Sequence, residues 1–305
     1  MIKKTFLLFV SIFGFAQEQT KPEPAFDFLK KYINTRDLAL SSTQDEVYFT
    51  IQNTNEEVSV IAYSQKINKK WTEPKLINFT GKHRDIEPFL SADGLKLYFS
   101  SNRPLDNSIS ESKDYDIWFV ERVNLKSDWS TPKNLGSPVN TANNEFYPSL
   151  TKTGNLYFTS DGSKSLGKDD IFFSKWENNK YSEPITLGLN INSAGYEFNA
   201  FVSPDENFLI FTGYNRTEGL GSGDLFISYK DKNGEWEKAK NMGPNVNSSL
   251  MDYCPFYDAK TETLYFTSKR NSVSNLGFKT IEELEKEINK YENGLSRIYK
   301  FNIKL

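Results

Sequence analysis

The chain has 305 residues, 25% of them charged and 37% hydrophobic, so it is long enough to bury one sizeable core. Its formal net charge of -3 provides no basic field, which excludes DNA and RNA as expected partners. Aromatic residues make up 15% of the chain and favour β-strands.

The first segment in chain order reads as an export signal. Two lysines precede an apolar run at residues 6–13, and Ala16 ends the segment at a site that fits a signal peptidase. The run is far shorter than the roughly 20 residues that span a bilayer, and no later segment supplies such a span. We therefore predict a signal peptide at 1–16 and a periplasmic or secreted mature protein at 17–305, with outer-membrane association left open.

A sequence unit is repeated along the predicted mature chain. Its clearest copy, IEPFLSADGLKLYFSSNR at residues 86–103, joins a short apolar strand to an aromatic strand through an Asp-Gly turn. A third strand and a short fourth element follow in each unit. Four-stranded units that recur every roughly 50 to 60 residues are typical of β-propeller blades. The other copies are DLALSSTQDEVYFT at 37–50, YPSLTKTGNLYFTSDG at 147–162, NAFVSPDENFLIFTGYNR at 199–216 and CPFYDAKTETLYFTSKR at 254–270.

The last unit has a third strand but no fourth, and the segment FLKKYINTRD at 28–37 resembles the tail that precedes the other blades. We infer that this N-terminal strand completes the last blade and closes the ring. The predicted fold is all-β, a five-bladed β-propeller of four-stranded blades within a single domain at 17–305. The predicted blades cover approximately residues 37–81, 85–141, 145–193, 197–248, and 252–305 together with 26–35.

The last blade carries an insertion that predicts a helix between its second and third strands. Thr280 and Glu283 form a capping box, and Gly294 marks the end, so we expect about three turns. We interpret the helix as a cover for the closure seam, with partner docking as the alternative. Its predicted apolar face consists of Ile281, Leu284, Ile288 and Tyr291.

Several motifs occur together in these repeats. A P-x-x-S-x-D-G-x-x-x-Y-F-S-S-N-R run stands at 88–103, DIW at 116–118, and W-S-x-P-x-N-L-G-x-x-V-N-T at 129–141. With these motifs the chain resembles the TolB-like, WD-repeat-like propeller family of bacterial envelope proteins over essentially its whole mature length. The resemblance implies a propeller of the cell envelope that binds other molecules.

Four acidic residues occupy one repeat position, three residues ahead of the Pro or Ala on which the units align. In a propeller this position lies near the mouth of the central channel, on the face where the variable loops gather. The four could form an anionic ring that binds a cation or a basic side chain. Alternatively, each carboxylate accepts backbone hydrogen bonds where the chain enters its blade. The candidate binding residues are Asp85, Glu145, Glu197 and Asp252.

Other polar residues of the repeats are interpreted as structural. Asp116, Asp170 and Asp224 open the third strands, where we expect them to bond the hydroxyl groups of the second strands within each blade. The basic residues of Asn102-Arg103, Asn215-Arg216 and Lys269-Arg270 are interpreted as solvated cations on the rim. Cys254 is the only cysteine, so no intrachain disulfide can form, and we read it as a small buried hydrophobe with a reactive thiol as the alternative.

Catalytic signals are few. His83 is the only histidine, which excludes a metal site built from several histidines. The sequence has no phosphate-binding glycine loop and no dinucleotide fingerprint. We therefore predict no catalytic residue, no metal and no cofactor.

We interpret the chain as an exported, non-enzymatic binding or scaffold propeller of the cell envelope, and we expect a monomer. Its loop-rich face is predicted to recognise an envelope protein, a peptide or a glycan. The alternative is a carbohydrate-active, glycosidase-like enzyme that uses carboxylates in the central funnel, one as the acid and another as the base or nucleophile. Binding is favoured because the four acids stand at repeat-equivalent positions and the motifs resemble the TolB-like family.

Overall fold

The structure is a computed structural model that describes residues 21–106 and 113–305. The predicted export signal, residues 1–16, lies outside these ranges. Among the described residues, no helix combines the length and the apolar character needed to cross a membrane.

Five antiparallel sheets form the five blades of a propeller, which confirms the predicted fold class. From blade one to blade five, the innermost strands are Thr35–Leu40, Asp85–Leu90, Glu145–Leu150, Tyr196–Val202 and Asp252–Asp258. The second strands are Glu46–Gln52, Lys96–Ser101, Leu156–Ser160, Phe208–Tyr214 and Thr263–Ser268. The third strands are Ser59–Ile67, Asp116–Glu121, Asp170–Ser174, Gly223–Tyr229 and Arg297–Asn302.

The outermost strands are short, two residues each. They are Lys75–Leu76, Lys133–Asn134, Ile185–Thr186 and Lys240–Asn241 in blades one to four, and Glu23–Pro24 in blade five. Blade one has a further short strand, Lys70–Trp71, and blade three has a side hairpin of Trp176–Glu177 and Lys180–Tyr181. In the part of the chain that the structure describes there are two helical segments, a 3-10 helix at Asp27–Lys31 and an α-helix at Ile281–Ile288.

The second strands form the middle of the core because each blade is packed between two others. One phenylalanine occupies the same register position in every second strand, and all five are essentially inaccessible to solvent. Side chains on both faces of these strands are buried, which explains why the strands are apolar over continuous runs rather than at alternate positions. The five residues are Phe49, Phe99, Phe158, Phe211 and Phe266.

Each innermost strand contains a β-bulge at the same position. The bulged residue has a positive φ of 51° to 61°, a conformation that costs a non-glycine residue roughly 1–2 kcal/mol. The five bulged residues surround the central axis, and we call them the central ring. They are Asp37, Glu87, Tyr147, Asn199 and Cys254.

Hydroxyl groups of the second strands hold the central ring in place across the blade boundaries. The backbone N–H of a ring residue donates to a hydroxyl of the preceding blade, at 3.1 to 3.3 Å. We expected these hydroxyls to bond the aspartates of the third strands. That prediction is wrong, because the hydroxyls bond the central ring instead. The bonds run from Asp37 to Thr267, from Glu87 to Thr50, from Tyr147 to Ser100 and from Asn199 to Thr159.

A matched pair of variants tests these bonds between blades. Thr267 and Thr212 are both fully buried, but the Thr212 hydroxyl has no hydrogen-bond partner among the described residues. We expect Thr267→Val to lower the free energy of unfolding by about 1–3 kcal/mol, because it leaves the Asp37 N–H unpaired. Thr212→Val should be neutral or stabilising. Equal losses in urea unfolding would contradict the assigned role.

The N-terminal strand closes the propeller, as predicted. Glu23–Pro24 pairs antiparallel with Arg297–Asn302, and the N–H of Ala25 donates to the carbonyl of Ile298 at 3.0 Å. The strand precedes the predicted range 26–35 because residues 27–31 instead form the 3-10 helix. This helix buries Leu29 completely.

The α-helix of blade five begins as predicted but is shorter. The hydroxyl of Thr280 caps it by accepting from the N–H of Glu283 at 3.2 Å. The helix ends at Ile288, after about two turns, and its predicted apolar face does not cover the seam. Ile281 is 66% and Ile288 48% exposed, whereas the buried helical residue is Glu287, which accepts from the N–H of Ser274.

Candidate functional site

A cavity of about 360 Å³ opens at one end of the central channel. Its lining comes from the first residues of the innermost strands and from the ends of the loops that join second to third strands. Both sets of segments lie at the same end of the propeller, which we call the loop-rich face. Loops on a rigid scaffold commonly carry binding sites, so this central cavity is the candidate site.

Aromatic side chains form much of the wall of the central cavity. Tyr115 and Phe146 pack with ring centroids 5.0 Å apart, and the guanidinium of Arg84 lies 5.5 Å from the Tyr115 ring. Phe198 and Tyr253 line the cavity from blades four and five. The wall can therefore contact both apolar groups and anionic or polar groups of a ligand.

Arg36 joins two buried carboxylates at the base of the central cavity. Its Nε donates to Asp37 Oδ1 at 2.8 Å and its Nη2 donates to Glu87 Oε1 at 2.7 Å. Asp37 and Glu87 belong to the central ring and are 1% and 3% exposed. The charge of Arg36 thus compensates two carboxylates that could not remain buried and ionised on their own.

Each carboxylate oxygen of Glu87 accepts two hydrogen bonds. Oε1 accepts from Arg36 and from Asn199 Nδ2 at 3.1 Å. Oε2 accepts from Ser100 Oγ at 3.1 Å and from the N–H of Tyr147 at 2.8 Å. Burial raises the pKa of Glu87 to about 7, although the charge of Arg36 opposes the rise. The network leaves this carboxylate little capacity to bond a substrate.

Two further residues define the chemistry of the central cavity, Cys254 of the central ring and Asp169 of the cavity wall. The thiol of Cys254 is 1% exposed and donates to Asn199 Oδ1 at 3.3 Å. Burial raises the pKa of this thiol well above its ordinary value, so it packs as a protonated group rather than a nucleophile. Burial also raises the pKa of Asp169 to about 6, with further increases from Asp161 and other nearby acids. Asp169 makes no ion pair with any residue that the structure describes.

The four predicted site carboxylates are buried in their separate blades and do not line the central cavity together. The residues that follow them in sequence line it instead, because successive side chains of a strand point to opposite faces. Asp85, for example, accepts from Thr80 Oγ1 at 2.8 Å and from Ser101 Oγ at 2.7 Å. A role in binding for these acids stays a prediction. All four, Asp85, Glu145, Glu197 and Asp252, are 0% exposed.

The third-strand aspartates hold the loops of their own blades. Asp116 Oδ2 accepts from Asn134 Nδ2 at 2.7 Å, and Asp170 Oδ2 accepts from Thr186 Oγ1 at 3.1 Å. Asp224 Oδ2 accepts from two loop N–H groups. Within 21–106 and 113–305, no group of three or more His, Cys, Asp or Glu side chains is placed to hold a metal ion.

Sequence reasoning missed Glu87 and Arg36, which dominate the central cavity. The five ring positions carry five different residue types, so they do not stand out when the repeats are aligned. One signal was available: Glu87 is a charged residue inside the otherwise apolar stretch IEPFL. A charge in a buried strand indicates either an ion pair or a functional site.

No family model matches the chain, and no curated protein matches it either. Solved structures do match its fold. TolB from Acinetobacter baumannii is 10% identical, covers 87% of this chain and 54% of its own, and has a TM-score of 0.51. An endo-arabinase from Bacteroides thetaiotaomicron is 11% identical, covers 94% of this chain and 98% of its own, and has a TM-score of 0.55.

An α-L-arabinofuranosidase from Podospora anserina is also similar, at 10% identity, with 92% of this chain and 94% of its own covered and a TM-score of 0.53. Identities this low show a shared fold alone. The structure is therefore consistent with a TolB-like propeller, as the sequence motifs indicated. This chain spans about half the length of the Acinetobacter TolB.

Proposed function

We propose that the chain is an exported, non-enzymatic binding propeller of the cell envelope that holds a segment of a protein partner in the central cavity. The state of Glu87 carries the proposal. This carboxylate lines the central cavity, but four hydrogen bonds and the charge of Arg36 fix it in place. Glu87 thus supports the architecture of the cavity, while the aromatic wall, Arg84 and Asp169 remain to contact a ligand. Export rests on the sequence of residues 1–16.

The loops around the central cavity favour a protein partner. Five leucines on five loops of the loop-rich face are exposed by 38% to 67%. Together with the aromatic wall of the central cavity they add apolar surface to this face, and contiguous exposed apolar surface is typical of protein-binding sites. These leucines are Leu105, Leu166, Leu220, Leu250 and Leu276.

A glycosidase-like enzyme is the second candidate. The raised pKa of Asp169 suits a general acid, and the endo-arabinase from Bacteroides thetaiotaomicron has the same fold. Glycoside hydrolysis normally requires a second carboxylate, about 5 to 9.5 Å from the first, that can act as the base or nucleophile. Glu87 and Asp37 are poor candidates for this role because both are bonded to Arg36.

A capture experiment tests the proposal with residues 17–305 as bait in envelope extract. We expect the parent to retain a protein partner and the variant Arg84→Ala/Phe146→Ala to retain at least tenfold less, because both changes remove half-buried side chains that line the cavity. The control Lys152→Ala/Lys260→Ala changes two exposed residues in turns at the opposite end and should retain the partner fully.

Two results would contradict the proposal. One is equal capture by the parent and the cavity variant. The other is hydrolysis of a glycan by the parent that Asp169→Asn abolishes, which would establish the enzyme instead. The cavity variant and Asp169→Asn must first show the circular dichroism and unfolding midpoint expected of a folded propeller.

A further inference from the structure

Three blades contain the same pair of an arginine and a buried acid at the loop-rich face. Each arginine follows the second strand and reaches the acid at the first or second position of the innermost strand. The nitrogen–oxygen distances are 2.5 Å for Arg103 and Asp85, 2.9 Å for Arg216 and Glu197, and 3.3 Å for Arg270 and Asp252. The arginines predicted to be solvated on the rim are therefore ion-pair partners of buried acids, with Arg103 buried and Arg216 and Arg270 partly buried.

Each of these guanidinium groups also lies over two aromatic rings that pair across the second and third strands. The distances from the guanidinium carbon to the ring centroids are 4.8 to 5.5 Å, within the range of cation–π attraction. The ring pairs are Phe99 and Trp118 in blade two, Phe211 and Phe226 in blade four, and Phe266 and Tyr299 in blade five.

Two of the arginines bond a backbone carbonyl as well. Arg216 Nη2 donates to the carbonyl oxygen of Ile191, and Arg270 Nη2 donates to that of Val246. Both carbonyls belong to the segment that leads into the innermost strand. A complete arginine site in this propeller thus consists of a carboxylate, two aromatic rings and a carbonyl group.

Blade three has the parts of this site without the arginine. Glu145 is at the acid position, and Phe158 pairs with Phe172 at the ring positions. Val139 corresponds to Ile191 and Val246 in sequence. Gly162 stands two residues after Ser160, as Arg103 stands two residues after Ser101. The result is a cavity of about 100 Å³, and all of these blade-three residues line it. We call it the blade-three socket.

Glu145 has no cationic partner among the described residues. It accepts from the N–H and the Oγ1 of Thr141 at 3.0 and 2.7 Å, and from Ser160 Oγ at 3.4 Å. Burial raises its pKa to about 7, and the charge of Asp116 adds to the rise. Lys164 lines the socket, but its ammonium group pairs with Glu183 at 3.1 Å.

We propose that the blade-three socket binds the guanidinium group of an arginine side chain from a partner protein. Three copies of the acid and ring pair within the same chain, two of them with the carbonyl, show which group fits the site. A planar guanidinium can stack on the rings while it donates to the carboxylate and the carbonyl, which a lysine ammonium cannot do equally well. The proposal deepens the proposed function by naming one side chain of the partner, but the socket is separate from the central cavity.

The test is a calorimetric titration of residues 17–305 with N-acetyl-arginine amide at pH 8. We expect saturable binding with one site, and at least tenfold weaker binding of N-acetyl-citrulline amide, which has the same shape without the charge. N-acetyl-lysine amide should also bind more weakly than the arginine probe. Absence of saturable arginine binding, or equal binding of citrulline or lysine, would overturn the proposal.

Two substitutions of Gly162 provide a matched pair. A Cβ at this position would meet its nearest atoms, in Asn143 and Ser160, at 3.4 Å, so a side chain is tolerated. Gly162→Arg should fill the socket from within and abolish binding of the probe, while Gly162→Ala should leave it open. Gly162→Arg should also raise the thermal unfolding midpoint at pH 8, since it pairs Glu145. Undiminished binding by Gly162→Arg would contradict the assignment.

The two sites can fail separately. The cavity variant Arg84→Ala/Phe146→Ala should bind the arginine probe as the parent does. Loss of probe binding in Glu145→Gln together with normal binding in the cavity variant supports the socket. If the parent captures a partner but never binds the probe, the socket is refuted and the central cavity is not.

Discussion

Deletion of the chain up to Tyr32 should lower the free energy of unfolding by about 5 kcal/mol or more, because the N-terminal segment closes the ring. The segment provides the outermost strand of blade five and buries Leu29 and Ala25 almost completely. Phe26 and Phe28 stack at 5.2 Å and both contact Trp71 of blade one. Burial of a large apolar side chain contributes about 1.5–3 kcal/mol, so the sum approaches the total stability of a domain.

Two point variants within this segment show whether packing is the cause. Leu29→Ala should cost about 2–5 kcal/mol, because the side chain is 0% exposed and leaves a cavity. Ile33→Ala should change the free energy by less than about 0.5 kcal/mol, since Ile33 is 52% exposed. Urea unfolding gives all three values. A truncated protein that unfolds like the parent would refute closure by the N-terminal strand.

Replacement of Arg36 by methionine should destabilise the protein by about 3–5 kcal/mol at pH 8. The variant keeps the length of the side chain but leaves Asp37 and Glu87 as buried carboxylates without a cation. It also removes the guanidinium that lies 5.2 Å from the Tyr253 ring. Unfolding by urea, monitored by tryptophan fluorescence, measures the loss.

The loss should depend on pH in a defined direction. The folded pKa of Glu87 is already about 7, above its ordinary value of 4.5, and loss of Arg36 should raise it further. A carboxyl group whose pKa is raised by folding stabilises the fold at low pH, and this contribution is lost as the pH rises from about 4.5 through the folded value. Arg36→Met should therefore lose less stability at pH 5 than at pH 8.

A second variant isolates the charge of Glu87. Arg36→Met/Glu87→Gln should recover part of the loss at pH 8, because it removes one of the two unpaired charges. Equal destabilisation of Arg36→Met at pH 5 and pH 8, or no recovery in the double variant, would show that the buried charges are not the cause.

The sequence predicted the number of blades and the closure because these depend on local, repeated signals. The turn residues and the apolar second strands recur in every unit, and the phenylalanine of each second strand keeps one register position. The missing fourth strand of the last unit indicated that an N-terminal strand closes the ring. It did not indicate where that strand lies, and the observed strand Glu23–Pro24 precedes the predicted range 26–35. Leu29, in the 3-10 helix, is buried because it packs against residues of both blade one and blade five. The sequence of this segment alone does not show that it lies between these two blades.

The candidate site was harder to predict because it depends on which way side chains point around the bulges. The acids at Asp85 and its equivalents were identified, but the next residues along each strand face the central cavity. Arg103 and its equivalents lie next to exposed loops in sequence, yet fold back over aromatic rings. The only sign of the blade-three socket in the sequence is Gly162, which stands where another blade has an arginine. This sign can be recognised only after the arginine–acid pairs of the other blades are known.

The architecture separates structural charges from charges that are available to a ligand. Arginines neutralise the buried acids of the central ring and of blades two, four and five. Glu145, Asp169 and Arg84 line the blade-three socket or the central cavity and belong to none of the ion pairs described above. These groups are available to a ligand, while the fixed state of Glu87 is the reason for proposing a binding surface rather than a catalytic centre.

The most direct test of this account is hydrogen–deuterium exchange of the propeller with and without the captured partner. We expect slower exchange in residues 84–86, 113–115, 143–147, 161–169 and 196–199, which surround the central cavity and the blade-three socket. Protection confined to the turns at the opposite end, such as residues 92–95, 152–155 and 259–262, would contradict the claim that the loop-rich face binds the partner.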